Sequence, residues 1–314
     1  MLQFEFNGHT SDEYNLIVTD ISENDDIAAK DLQLGQKNKY RPRENHFGAI
    51  YNGNYSFVVG VMKNPCRNHN VIPTIKNGIL KYDKTYTPTL KNGILTFPMN
   101  YTASIKNGIL TSNDSDYLLS NDVRRINAWL TSPQYPKLFR FIDDEYFSEQ
   151  IEFFATITEV NTEHTSLPYD LTFQVTCDAP WGYTPEIIHN FTSSSVLTRR
   201  YTITNNSDCY EDYIYPMIKV SPKSHGTITI KNVTDDNKTM RINSLKNDDF
   251  YIDCQHLKIY DITNSIVTFE DLGISDVDDI YWPRLAYGDN IFEFTGDAEF
   301  EISYREPRKV GAFA

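Results

Sequence analysis

The 314-residue chain lacks most of the patterns from which an activity is usually read. It contains no H-E-x-x-H, no G-x-S-x-G, no G-x-x-x-x-G-K-[ST] and no G-x-G-x-x-G. The zinc-hydrolase, serine-hydrolase and phosphate-cradling signatures are therefore missing. Its histidines (His9, His46, His69, His164, His189, His225, His256) are scattered, and Cys66 and His69 supply only half of a zinc ligand set. The 4 cysteines, Cys66, Cys177, Cys209 and Cys254, form no C-x-x-C pair. Reduced, half-buried thiols are expected, with Cys209–Cys254 the one bridge worth considering. No apolar run approaches the ~18 residues that would suggest a membrane-spanning helix. The opening "MLQFEFNGHTSDEYNL" has neither a basic n-region nor an apolar h-region, so no signal peptide is expected. Long helix-forming periodic stretches are nearly absent.

Aromatic residues are plentiful, at 13% with 21 Tyr and 18 Phe, and hydrophobic residues reach 40%. With frequent β-branched residues, this mix predicts a mainly β protein with enough apolar mass for a packed core. One helix stands out, in "LLSNDVRRINAWLTSP". Ser120 is the expected N-cap and Asp122 lies in the first turn. Val123, Ile126 and Leu130 share a face, with Trp129 beside them and Pro133 beyond the end. "KLFRFIDDEYFSEQIEFFATITEV" reads as a hairpin turning at Asp143-Asp144. "YDLTFQVTCDAPWGY" reads as a strand with Leu171, Phe173, Val175 and Cys177 inward. From about Leu197 onward, short strands at near-even spacing predict a sandwich or jelly roll.

The net charge of −14 argues against specific nucleic-acid binding, since such a surface repels phosphates. That charge is uneven. Between Arg67 and Ser112, Arg67, Lys76, Lys81, Lys84, Lys91 and Lys106 oppose only Asp83, a net +5 that leaves −19 elsewhere. The same stretch repeats [IL]-K-N-G-I-L from Ile75, Leu90 and Ile105, at intervals of fifteen residues. Asn-Gly between short apolar runs is a hairpin signal. Three hairpins in a meander, or a small β-solenoid, are both compatible with the repeat.

Chemistry-bearing clusters are few. Asp143, Asp144 and Glu145, and Asp276, Asp278 and Asp279, could be carboxylate pairs for glycoside hydrolysis or oxygen ligands for Ca²⁺. They read more simply as turn residues. In "WPRLAYGDN", Gly288 suits a turn and Leu285 an inward position. Tyr281 and Trp282 are the only candidate contact residues, as a surface pair that could stack on a sugar ring.

The order of motifs then becomes informative: "FEFNGHTSDEYNLIV", "LSNDVRRINAWL" followed by "KLFRFIDDEYF", "FQVTCDAPWGY", "YPMIKV", "GTITIKN", "FYIDCQ", "WPRLAYGDNIFEF" and "ISYRE". In this order they resemble the distal tail (Dit) proteins of tailed bacteriophages. The resemblance implies an N-terminal, sandwich-like β ring domain with one helix (residues 1–183) and a C-terminal galectin-like or carbohydrate-binding-module-like jelly roll (184–314). A three-hairpin insertion at 65–116 would replace a short loop of that family. Ser120–Leu130 and Leu138–Tyr146 match the ring domain, and Phe173–Pro180 its closing strand. Pro216, Gly226, Pro283, Leu285, Gly288 and Asn290 match scaffold positions of the outer domain.

The resemblance further implies a non-enzymatic homo-hexameric ring at the virion tail tip, assembled in the bacterial cytoplasm. Its partners would be the tail tube protein, the tape-measure protein and a tail-associated hub or fibre protein, with a host-surface glycan as a candidate ligand. DNA would pass through an acidic lumen without specific binding, and no cofactor, metal or membrane insertion is implied. The alternatives are a stand-alone carbohydrate-binding sandwich and a glycan-cleaving enzyme.

Overall fold

A computed structural model describes residues 2–23, 30–36, 45–51, 53–64, 74–76, 79–81, 89–91, 94–96, 103–106, 109–112, 118–142, 149–162, 170–194, 198–244 and 248–309. The chain divides into two units. One comprises Met1–Ser148, Phe153–Pro180 and Gly311–Ala314, the other Glu149–Glu152 and Trp181–Val310.

The first unit is built on a curled sheet in the order His9–Thr10, Gln3–Phe6, Lys137–Ile142, Glu152–Thr162, Asp170–Cys177, Ser56–Lys63 and Leu16–Glu23. The expected sandwich-like arrangement thus takes the form of one sheet bending back on itself. The Val18 N–H donates to the Leu2 carbonyl at 3.1 Å, bringing the last strand of the order beside the start of the Gln3–Phe6 strand. Alternation places Leu171, Phe173, Val175 and Cys177 inside, opposite Phe57, Val59 and Val61 of the paired strand. Inside the curl the phenylalanines pack ring on ring: Phe57 lies 5.5 Å from both Phe139 and Phe153, and Phe4 lies 5.3 Å from Phe173. Such offset and tilted pairs add to the burial of large apolar area.

The single α-helix among the described residues, α1, spans Ser120–Thr131 and buries Ile126, Trp129 and Leu130. Its N-cap is Leu119, one residue before the expected Ser120. Leu has no side-chain acceptor, and Asp122 compensates by reaching back to accept from the Leu119 N–H at 3.2 Å. Trp129 continues a stack of rings that runs through the unit. It lies 4.2 Å from Tyr14 at 4° and 5.3 Å from Phe4 at 11°, and Phe4 lies 5.5 Å from Phe139. Its indole N–H donates to the Phe6 carbonyl at 3.0 Å. The helix is thereby fixed to the Gln3–Phe6 strand by both packing and a buried hydrogen bond.

The [IL]-K-N-G-I-L strands pair as three separate antiparallel hairpins: Thr74–Lys76 with Ile79–Lys81, Thr89–Lys91 with Ile94–Thr96, and Ala103–Lys106 with Ile109–Ser112. The Asn-Gly positions themselves, the Asp143–Glu145 turn and Cys66 lie outside the described residues.

The second unit is a two-sheet sandwich. Its strands, in chain order, are β1 (Ile187–Ser193), β2 (Arg199–Asn205), β3 (Met217–Pro222), β4 (Gly226–Asn232), β5 (Lys238–Ser244), β6 (Phe250–Asp253), β7 (Lys258–Asp261), β8 (Gly288–Thr295) and β9 (Ala298–Tyr304). One sheet runs β1-β9-β3-β6-β7 and the other β2-β8-β4-β5. Apart from β7, an added edge strand, this is the connectivity of a jelly roll. The core between the sheets holds Ile218, Val220, Ile230, Ile242, Phe292 and Phe300, all essentially inaccessible. The chain crosses from β8 to β9 at Gly296, whose φ is +96°, and an added Cβ would lie 2.7 Å from the Thr227 carbonyl oxygen. Only glycine combines that dihedral with that approach. Cys177, Cys209 and Cys254 are buried thiols outside any disulfide, so the Cys209–Cys254 bridge does not form.

Replacing Trp129 with Ala should cost the first unit about 3–5 kcal/mol, the usual range for deleting a buried aromatic side chain. Trp129→Phe, which keeps most of the packing but leaves the Phe6 carbonyl unsatisfied, should cost about 1–2 kcal/mol. Denaturant titration of each variant measures both. No loss in Trp129→Phe would show that the indole N–H contributes nothing.

Candidate functional site

The residues singled out for sugar stacking sit differently from the expectation. Tyr281 is buried in the sandwich, and Trp282 is half-buried against the same core. Neighbouring residues in an extended segment point to opposite sides, and here neither side presents the two rings together to solvent. What Tyr281 does is structural. Its hydroxyl donates to Asp235 Oδ2 at 2.8 Å and faces the Asn232 amide at 3.3 Å.

Those contacts belong to a polar clamp centred on Arg284. The guanidinium donates to Asp235 twice, from Nε to Oδ2 at 2.8 Å and from Nη2 to Oδ1 at 3.1 Å. Lys238 adds a contact to Oδ1 at 3.2 Å. Asn232 donates to the Arg284 carbonyl at 2.8 Å and accepts the N–H groups of Thr234 and Asp235, each at 3.1 Å. The fork-on-fork geometry is the strong form of an arginine–carboxylate pair. The Arg284 guanidinium, first among several donors, holds the Asp235 carboxyl down to about 2. Burial, reinforced by Asp235, pushes the Tyr281 phenol above its ordinary range. The clamp fixes the approach to β8, where Leu285 is fully buried. Asn290 then closes the turn, donating to the Ala286 and Gly288 carbonyls at 2.7 and 2.9 Å and accepting the Ala286 N–H at 2.8 Å. Gly288, with φ of +85°, supplies the left-handed residue that this turn needs.

Outside this frame the clamp meets solvent through tyrosines. The Arg284 guanidinium lies 3.9 Å from the centroid of the exposed Tyr213 ring. The exposed Tyr210 and Tyr287 rings meet edge to face at 4.6 Å and 81°. Sequence reasoning chose Tyr281 and Trp282 because they are adjacent aromatics. It passed over Tyr210, Tyr213, Tyr215 and Tyr287, which come from two separate segments. The available signal was the density of tyrosine in "CYEDYIYP", a stretch too polar to read as a core strand.

The described members of the acidic clusters take structural roles. Asp276 caps a short 3-10 turn by accepting the Asp278 N–H at 3.0 Å, and Asp279 faces Arg241 at 3.5 Å. Among the described residues, no group of three or more His, Cys, Asp or Glu side chains is placed to hold a metal ion. No helix among them is long and apolar enough to cross a membrane. In the first unit, a cleft of about 270 Å³ at the start of α1 is bordered by Glu13, Asn15, Lys63, Asp122 and Arg125. Its charges are of both signs and converge on no single group.

The family comparisons agree with this two-unit organisation. Residues 1–179 match the model of a phage tail protein N-terminal domain, and residues 181–304 match that of a phage tail C-terminal domain. The chain belongs to this family of phage tail proteins. Among solved structures it is similar to the Dit protein of phage SPP1, described as a paradigm of the hub adsorption apparatus in phages infecting Gram-positive bacteria. The two share 9% identity and a TM-score of 0.56, over 97% of this chain and 99% of that one. A search of curated proteins found no match.

Asp235 gives a pH prediction whose sign follows from its depressed folded value. The ordinary value is 3.8 and the folded value about 2, so the stabilisation is present above about 4 and lost as pH falls toward 2. Asp235→Asn should lower stability at neutral pH by about 1–3 kcal/mol, the cost of leaving a charged donor poorly satisfied. It should also flatten the acid limb of the stability curve relative to the native chain. Thermal melts of both proteins between pH 2 and 7 test this, and parallel curves would contradict it.

Proposed function

We propose that this protein is the distal tail hub of a tailed phage, a structural ring protein joining the tail tube to the tail-tip adsorption apparatus. The observation that carries the reading is the coincidence of a two-domain tail-protein family match with a fold likeness covering nearly all of both chains. A likeness confined to the jelly roll would fit any sandwich module. Here the curled, helix-closed first unit is included as well.

In this reading the first unit forms a homo-hexameric ring. A ring of identical subunits needs two different surfaces that meet on rotation. Beyond the bond at Val18, the Leu16–Glu23 strand ends the hydrogen-bonded order of the sheet among the described residues, and its Thr19–Glu23 part is a natural place for a neighbour to pair. The ring would contact the tail tube, tape-measure and hub or fibre proteins. Its acidity, −14 per chain, would keep DNA phosphates off the lumen wall. The role is non-enzymatic and the location is the virion tail tip, after assembly in the host cytoplasm. The basic 65–116 insertion is then an addition to the ring and not a part of its framework.

Two measurements test this reading. The purified protein should sediment at six times the 36.3 kDa chain mass and appear as a sixfold ring by negative-stain microscopy. A monomer at every concentration would favour a stand-alone sandwich module. Deleting Arg67–Ser112 should leave the ring intact, because among the described residues the strands of those hairpins pair only with one another. Loss of the ring on deletion would assign the insertion to the interface.

A further inference from the structure

The exposed tyrosines of the second unit form one patch. Segments 209–215 and 284–287 run side by side, joined by reciprocal Ile214–Leu285 backbone hydrogen bonds of 3.0 and 2.8 Å. Leu285 turns inward and Ile214 packs against the same core, so their neighbours turn outward. Tyr213 lies under Arg284, and the Tyr215 hydroxyl is a further partner of the same guanidinium. Three residues further along each segment, Tyr210 and Tyr287 meet at right angles while remaining 65% and 51% exposed. Four exposed tyrosines gathered at one place are unlike the singly scattered apolar residues of an ordinary surface.

The chemistry around the rings narrows what they could hold. Arg284 is already bound bidentately by Asp235, so its charge is spent within the clamp and offers no site for an anion. Glu211, Asp212 and Asp289 are exposed beside the tyrosines in sequence. Their carboxylates repel phosphate and acidic sugars but accept hydrogen bonds from hydroxyls. An apolar protein face would bury the Glu211 and Asp212 carboxylates at a cost that a hydroxyl-rich ligand avoids. A sugar ring can lay its C–H face on one tyrosine and its edge against the perpendicular one.

We propose that the Tyr210–Tyr213–Tyr215–Tyr287 patch of the jelly roll binds a neutral or amino-sugar glycan. The proposal deepens the tail-tip reading by naming what the tip would touch. It differs from the Tyr281–Trp282 expectation in both residues and surface.

The test uses the full chain on an array of neutral, amino-sugar and anionic oligosaccharides, followed by calorimetric titration of the best binder. Binding to the neutral or amino sugars is expected. It should fall at least tenfold in the Tyr210→Ala/Tyr287→Ala double variant and stay unchanged in Tyr135→Ala, a similarly exposed tyrosine of the first unit. If the double variant melts early, Tyr210→Ala alone is read in its place, since that ring lies in a surface loop. No glycan binding by the native chain, undiminished binding by the variants, or a preference for anionic sugars would each overturn the proposal. Sedimentation of the same samples separates it from the hub reading. An intact ring that binds no glycan removes this proposal alone, whereas a monomer that binds glycan removes the hub reading alone.

Discussion

The first unit depends on how Trp129 is held. A sheet that curls on itself encloses phenylalanines but leaves an open end, which α1 covers. Trp129 covers it by stacking between Tyr14 and Phe4 while its N–H satisfies the Phe6 carbonyl. The helix in turn is too short to be stable alone, at 12 residues. Helix and sheet therefore form together. The Gln3–Phe6 strand, which pairs with Lys137–Ile142 far along the sequence, is set by the same contacts.

The second unit solves a different problem. Its two sheets share a dry core and need no plug, but the segment from Tyr281 to Asn290 must cross their end without leaving its backbone groups unpaired. Asn232 and Asn290 satisfy backbone groups of that segment, while Asp235 holds its Tyr281 and Arg284 side chains. Because Arg284 is locked in this way, the tyrosines packed on it are held in fixed positions, as a binding platform requires. Function, in this reading, is carried by surfaces of two stable units.

Much of this was legible in the residues. The strand alternation at Leu171, Phe173, Val175 and Cys177 was plain, as were the helix around Ile126 and Trp129 and the turn at Gly288. Each follows from local periodicity or from one residue's backbone freedom. The motif order also pointed to the tail-protein family that the comparisons show. Three features were hidden. The cap at Leu119 comes from Asp122 reaching backward, where Ser120 looked the better residue. The curl of the first sheet depends on a long-range bond between Val18 and Leu2. The tyrosine patch joins segments about seventy residues apart, and pairing across that distance leaves no trace in local spacing. Tyr281 stands out as an aromatic, yet its hydroxyl serves the half-buried Asp235 carboxylate.

The central claim is a place in a particle, so the most direct measurement is a density map of an intact particle that carries this protein. The account requires six copies at the junction between tail tube and tail tip, with the helix-closed units forming the ring. Density for this chain along the tail shaft, or at the tip in any symmetry without a sixfold ring, would contradict it.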